Sequence, residues 1–484
     1  MKIEQIYTGC LAQGAYYIES NGEVAIVDPL REVQPYIDKA NKNNSKIKYI
    51  FETHFHADFV SGHVTLAKKT GAPIVFGPTA NTNFKAHIAT DGEVFKLGEI
   101  TITLLHTPGH TIESACYLLK DVTGKDYALF SGDTLFLGDV GRPDLAQKAE
   151  NMTQEDLAGI LFDSLRTKIM TLADDVIVYP AHGAGSACGK NLSKETIGSI
   201  GNQKQVNYAL RSDMSRKEFI KEVTYGLLPP PAYFPMNVKL NKEGYDNVED
   251  IINEAVAFDA KTFELVANET EALILDVRHQ DDFEKGHIPK SIFIGIDGGF
   301  APWVGALILD IKQPILLITP VGKEEETILR LARVGYDNTL GYLKGGFETW
   351  KRLGLEYDTV NSSSAEKLDE ILQNVQTRGK AEQSKANHKA KVSIFDVRKP
   401  REFLSEHIEN ALTTPLDFIN DYIAEFPKEE PFYIHCAGGY RSMIAASILK
   451  SRGYHNVINV LGGFTAIKTT RIKTTDYVCP STLK

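Results

Sequence analysis

The chain has 484 residues, 43% of them hydrophobic and 24% charged, with a formal net charge of −10. This is ordinary globular composition at a length for about three domains of common size, and the acidic balance disfavours nucleic acid and anionic membranes as partners. No apolar run reaches the length of a membrane span, and Met1-Lys2-Ile3-Glu4-Gln5 lacks a signal peptide's basic flank and apolar core. The five cysteines (Cys10, Cys116, Cys188, Cys436, Cys479) are too scattered for a disulfide framework, so a cytoplasmic chain with reduced thiols is expected.

Taken in chain order, residues 23–28, 47–51 and 174–179 are short β-branched and aromatic runs that read as buried strands, with a helical stretch over 154–170 between them. The class is α/β. The Pro-rich segment 228–235 reads as neither helix nor central strand and closes a first domain over 1–240. Beyond it the chain repeats itself. Leu275-Asp276-Val277-Arg278 recurs as Phe395-Asp396-Val397-Arg398, Gly286-His287-Ile288 as Glu406-His407-Ile408, and Gly345-Gly346-Phe347 as Gly462-Gly463-Phe464. Two copies of one domain are expected, at 257–357 and 365–472. The Ser-, Asn-, Lys- and Gln-rich stretch 361–391 reads as a linker with a helix over 365–376.

After the strand ending near Phe51 comes Thr53-His54-Phe55-His56-Ala57-Asp58-Phe59. Imidazoles two apart in extended chain project to one side, and a carboxylate two further on gives the N and O donors that a cation wants. His110, Asp133 and His182 appear at comparable strand ends, in Thr107-Pro108-Gly109-His110-Thr111, Ser131-Gly132-Asp133-Thr134 and Pro180-Ala181-His182-Gly183. A lone histidine is usually a core or surface residue, but this succession of loops points to a metal. His106 is read as structural.

These motifs resemble those of the metallo-β-lactamase superfamily, and Gly141-Arg142-Pro143-Asp144 resembles its persulfide dioxygenase branch. The resemblance implies an αββα sandwich in which His54, His110 and Asp133 hold one Fe(II). Two histidines and a carboxylate leave three positions open, which suits binding O2 and a substrate sulfur. Phe59 stands where many members have another histidine, so a second metal would lose a ligand. His56, Asp58 and His182 are then expected to orient ligands or bound water. Cys188, six residues past His182, either faces the metal and takes up or relays sulfur, with Lys190 favouring its thiolate, or is simply buried. Arg142 and Lys190 are candidate partners for a substrate carboxylate, although surface charge is their commoner use. Cys10 and Cys116 read as core, and Cys479 as part of a loose tail.

In the second repeat the strand over 431–435 ends in Cys436-Ala437-Gly438-Gly439-Tyr440-Arg441, and a helix begins at Ser442. A tight Gly-bearing loop before a helix aims backbone N–H groups inward, and with Arg441 it suits a thiolate or persulfide. This segment resembles the sulfur-transferring loop of rhodanese, which implies two rhodanese-like α/β domains. The first repeat has Thr319-Pro320-Val321-Gly322 instead, and there is no cysteine between Cys188 and Cys436. A structural or docking role is expected for it.

The whole order resembles fusions of persulfide dioxygenase and rhodanese. It implies oxidation of a low-molecular-weight persulfide by O2 to sulfite, which then accepts sulfur from Cys436 to give thiosulfate. The expected partners are small persulfides, O2 and sulfite, with no nucleic acid and no membrane, and a homo-oligomer is expected. Two alternatives stand beside this: a zinc thioester hydrolase of the glyoxalase II kind fused to a sulfurtransferase, and a non-enzymatic persulfide carrier.

Overall fold

A computed structural model of the chain describes residues 1–147, 151–381 and 392–479. The chain forms two compact units. The first is Met1–Ile251 together with Ile308–Ile311 and Leu329–Asp337, and the second is Ile252–Leu307, Lys312–Ile328 and Asn338–Lys484. Among the described residues no helix is long and apolar enough to cross a membrane.

The first unit is built on two six-stranded sheets. One runs in chain order through β1 (Lys2–Thr8), β2 (Gln13–Ser20), β3 (Glu23–Val27), β4 (Lys46–Phe51), β5 (Ile74–Phe76) and β6 (His87–Ile88). The other comprises β7 (Val94–Leu97), β8 (Ile100–His106), β9 (Ala115–Lys120), β10 (Asp126–Gly132), β11 (Ile177–Pro180) and β12 (Gly198–Ser199), again neighbours in that sequence. Successive side chains of a strand face opposite ways, and along β2 both faces are buried, as a doubly covered sheet requires. Tyr16 and Ile18 join Ile102, Tyr117 and Phe130 in a core shared by the two sheets. On the outer face Ala15 and Tyr17 share a core with Tyr36 and Leu66, from helices Gln34–Lys42 and His63–Thr70. On the far side Leu118 and Leu129 meet Leu161 and Phe219, from helices Gln154–Ser164 and Arg216–Thr224. The result is the expected αββα sandwich.

The Pro-rich segment departs from expectation. Pro235 lies in the first turn of a helix, Phe234–Glu243, where a missing N–H costs nothing and the fixed φ is already helical. The first unit therefore continues past 240.

The second unit contains two parallel five-stranded sheets of the same topology. The first repeat has β13 (Val256–Phe258), β14 (Leu273–Asp276), β15 (Ile292–Phe293), β16 (Ile315–Ile318) and β17 (Thr339–Leu343), ordered β13-β17-β16-β14-β15. The second has β18 (Asn361–Ser363), β19 (Ser393–Asp396), β20 (Leu412–Thr413), β21 (Phe432–His435) and β22 (Val457–Val460), ordered β18-β22-β21-β19-β20. The repeated motifs meet at one place in each copy. Arg398 grips Asp396 through both carboxylate oxygens, donates to the Glu406 carbonyl at 2.7 Å and lies over the Phe464 ring. Arg278 does the same with Asp276, the Gly286 carbonyl and Phe347. A latch present in both copies is scaffold, whatever their chemistry.

The supposed linker also needs correction. Residues 361–363 form edge strand β18, paired with β22, and helix Ala365–Ala381 follows, with Ala365 and Leu368 in the repeat's core. The rest of that stretch, 382–391, lies outside the described residues.

Candidate metal centre and cysteine loop

Loops at the ends of β4, β8, β10 and β11 carry His54, His110, Asp133 and His182 to one buried place in the first unit. Donor atoms of His54, His110 and Asp133 lie within 4.8 Å of one another. His110 Nε2 is 3.4 Å, and His54 Nε2 3.8 Å, from the same Asp133 oxygen. The opposite ring nitrogens settle the tautomers. His110 Nδ1 donates to the Arg142 carbonyl at 2.9 Å, which leaves its Nε2 lone pair facing inward. Thr53 gives its hydroxyl proton to Asp28 at 2.8 Å and accepts from His54 Nδ1 at 3.0 Å, so His54 Nε2 is likewise free to ligate. Gly141 makes this approach possible, because a Cβ there would sit 2.1 Å from the Asp133 carbonyl and 2.9 Å from His110 Nδ1.

His54 Nε2 and both oxygens of Asp133 are buried with no hydrogen-bond partner in the protein. Orphaned donors of this kind are costly unless a cation takes them up, so the residues fit a metal ion. Burial and the neighbouring His56, His110 and His182 hold the His54 pKa well below the usual value, in the neutral form a metal needs.

A second donor group lies beside the first. His56, Asp58 and His182 also lie within 4.8 Å of one another. His182 Nε2 stands 3.5 Å from Asp58 and 3.6 Å from Asp133. Burial alone would lower the His182 pKa, but those two carboxylates, with the Ala12 carbonyl and Asp28, outweigh it and the value is raised. The other side of His56 faces Asp28 at 3.1 Å and Glu52 at 3.5 Å. Phe59 is fully buried, its ring centroid 4.3 Å from that of His56.

Cys188 does face the site, within 4.8 Å of Asp133 and His182 donors. The Lys190 ammonium donates to the carbonyls of Glu222 and Tyr225, while burial and the Asp58 and Asp133 carboxylates push the Cys188 thiol well above its usual pKa. A cation between those carboxylates would reverse that electrostatic sign. Arg142 is also engaged elsewhere: its guanidinium forks onto Asp144 and donates to the carbonyls of Ala187 and Leu228. Neither Arg142 nor Lys190 lines the cleft of about 50 Å³ that opens on His110; its cation is Lys242, beside Phe55, Ala57 and Val238.

His106 is structural as expected, with Nε2 on the Ile112 carbonyl. Cys116 is core, its pKa pushed up to about 11 by burial. Cys10 is not core but half-buried in the turn between β1 and β2. Cys479 is exposed, next to Val478, which hydrogen-bonds Ser405 of the second repeat.

Asn241 carries no sequence signal, yet it organises the ligand loop. Its amide donates to the His56 and Phe59 carbonyls, both at 2.8 Å, and accepts from the Ser61 N–H at 2.9 Å. Asn241→Ala should strand three buried backbone groups and cost on the order of 3 kcal/mol. Thermal melts and metal content of the full chain check this: both should fall, and wild-type values in both would contradict it.

In the second unit Cys436 directly follows β21 and is buried, and the Gly439 N–H donates to its Sγ at 3.1 Å. The loop Ala437-Gly438-Gly439 leads directly into helix Tyr440–Ser451. Matching hydrogen bonds, Val397 N to the His435 carbonyl and Val277 N to the Ile318 carbonyl, put Thr319 where the second repeat has Cys436. Arg441 is not a free anion clamp. It pairs with both oxygens of Glu402, at 2.6 and 2.9 Å.

The metallo-beta-lactamase superfamily model matches residues 8–182, and the rhodanese-like domain model matches 259–353 and 380–470. A metallo-beta-lactamase structure from Staphylococcus aureus aligns with a TM-score of 0.62 at 31% identity, over 71% of this chain and 98% of that one. A probable hydroxyacylglutathione hydrolase of Schizosaccharomyces pombe is 30% identical over 167 residues, 34% of this chain and 60% of that protein. The hydroxyacylglutathione hydrolase of Francisella philomiragia is 30% identical over 168 residues, 34% of this chain and 61% of that protein. The chain thus spans about three fifths of the length of these curated relatives.

Proposed function

We propose a function for a chain that belongs to the metallo-beta-lactamase superfamily and carries two rhodanese-like domains: it oxidises low-molecular-weight persulfides with O2 and converts the sulfite to thiosulfate. The first reaction is R-S-SH + O2 + H2O → R-SH + H2SO3. In the second, the Cys436 thiolate takes the outer sulfur of another persulfide, releasing R-SH, and the resulting cysteine persulfide passes that sulfur to sulfite.

The observation that carries this reading is the set of three inward-facing donors, His54, His110 and Asp133, beside a buried Phe59 at the position where a second metal would want a ligand. His54, His110 and Asp133 would hold an Fe(II) ion, which would supply redox chemistry toward O2. Thr53 and the Arg142 carbonyl fix the two imidazoles in ligating tautomers. The cleft beside His110 would take the sulfur end of the persulfide, between the apolar side chains of Phe55, Ala57 and Val238 and the charged groups of Lys242 and Glu113. Cys188, close to the donors of Asp133 and His182, would receive a sulfur atom. At the second site the Gly439 N–H favours the thiolate or persulfide of Cys436.

A second reading is a zinc thioester hydrolase fused to a sulfurtransferase. The His56, Asp58 and His182 group, which offers donors for a second metal, favours it, as do the hydroxyacylglutathione hydrolase relatives. Metal analysis and O2 uptake on anaerobically purified full chain, given glutathione persulfide or coenzyme A persulfide, separate the two. We expect one iron per chain and persulfide-dependent O2 uptake. Zinc at two per chain, thioester cleavage and no O2 uptake would overturn the dioxygenase reading.

A further inference from the structure

The first repeat lacks the cysteine, yet its segment after β15 reaches the cysteine loop of the second. Tyr440, four residues past Cys436, donates its hydroxyl to the Gly295 carbonyl at 2.8 Å, and its ring meets Phe293 edge-on at 5.8 Å. Two glycines make room for it. A Cβ on Gly298 would fall 2.2 Å from Tyr440 Cζ, and one on Gly295 would fall 3.2 Å from Cε2. The Phe293 N–H donates to Ser447 Oγ at 3.0 Å, and Asp358 pairs with Lys450 at 2.9 Å, so the same face is held at two further points of the following helix.

The second repeat shows that this slot is not a property of the shared scaffold. Ile294 N and Ile296 N bond the carbonyls of Asp276 and Val277, just as Thr414 N and Leu416 N bond those of Asp396 and Val397. Through that correspondence Gly295 and Gly298 match Pro415 and Phe418. The copy without a cysteine has small residues where its sister has bulky ones, and Tyr440 fills the space.

Tyr440 directly follows Gly439, whose N–H points at Cys436 Sγ and whose φ of 112° lies in the left-handed region. On the far side, a Cβ on Gly439 would meet the Gln280 amide at 3.2 Å. We propose that the cysteine-less repeat is a positioning element for sulfur transfer: its glycine slot seats Tyr440 and thereby holds the Gly439 N–H on the Cys436 sulfur. This rests on Cys436 as the sulfur carrier. Tyr440 itself touches no reacting atom and acts through Gly439.

The test uses the full chain as wild type, Tyr440→Phe, Tyr440→Ala, Gly298→Val and the Tyr440→Ala/Gly298→Val pair. Mass spectrometry of the Cys436 peptide follows its alkylation by iodoacetamide against pH, and sulfur transfer from thiosulfate to cyanide is assayed alongside. A hydrogen bond to a charged sulfur changes an equilibrium by about tenfold, so Tyr440→Ala and Gly298→Val should each raise the alkylation midpoint by about one pH unit and slow transfer about tenfold. Tyr440→Phe, which keeps the ring seated, should stay within about threefold of wild type. The pair should be no worse than its worse single member, because both changes empty one seat. Unchanged midpoints in both single variants, or additive losses in the pair, would overturn the proposal; if Gly298→Val fails to fold, Tyr440→Ala alone decides. A wild type that alkylates normally but transfers no sulfur would instead sink the sulfurtransferase reading, and the alkylation profiles would still judge the seat.

Discussion

Cys436→Ser will leave persulfide-dependent O2 uptake in place and change the product from thiosulfate to sulfite. The metal donors all belong to the first unit, and Cys436 belongs to the second, so no ligand is lost. Serine retains an acceptor for the Gly439 N–H, and the fold already tolerates a hydroxyl there, since Thr319 takes the corresponding place in the first repeat. A hydroxyl forms no persulfide, so thiosulfate should fall about a hundredfold or more while sulfite rises to match the O2 consumed. An oxygen electrode combined with thiol-trapping chromatography of both anions reads this directly. Undiminished thiosulfate would move sulfur transfer to another cysteine, with Cys188 the first to examine. Lost O2 uptake would make the second site part of the first reaction.

The parts of the molecule visible in sequence are those where chemistry restricts residue type over a short span. A cation accepts few side chains, so His54, His56 and Asp58 in one loop, with single ligands in three further Gly-flanked loops, announce a site before any fold is known. The repeats are visible for a related reason: the Asp-Val-Arg and Gly-Gly-Phe motifs supply the carboxylate, guanidinium and ring of one latch, closed on the backbone carbonyl just before His-Ile, so they persist together. Side chains whose partners lie far away in the chain are silent. Asn241 bonds a loop some 180 residues before it, and nothing in its own helix distinguishes it from a solvent-facing amide. Arg441 reads as an anion clamp only while Glu402, 39 residues earlier, is out of view. Arg142 is a different case, because its partner Asp144 stands two residues away and the fork between them was legible locally. Strand β18, at three residues, is too short to show any periodicity and does not stand out from the polar stretch around it.

Asp133→Asn should abolish metal binding and, by the same change, leave the metal-free protein at least as stable as the metal-free wild type. One Asp133 oxygen faces His54 and His110 and the other faces His182, so this carboxylate joins both donor groups. It is buried, and neither oxygen has a hydrogen-bond partner within the protein. A charge held in that way is built for a cation and is a liability without one. The neutral amide is nearly the same size and relieves that liability, but it is a poor ligand, so metal content should fall below about a tenth of wild type and O2 uptake by about a thousandfold or more. Melting curves with and without chelator give the second arm. Wild type should lose stability when stripped, the variant should be indifferent to chelator, and the stripped variant should melt no lower than stripped wild type. A stripped variant that melts well below stripped wild type would mean that Asp133 holds the loops together through protein contacts, and that its unpaired oxygens are not waiting for a metal.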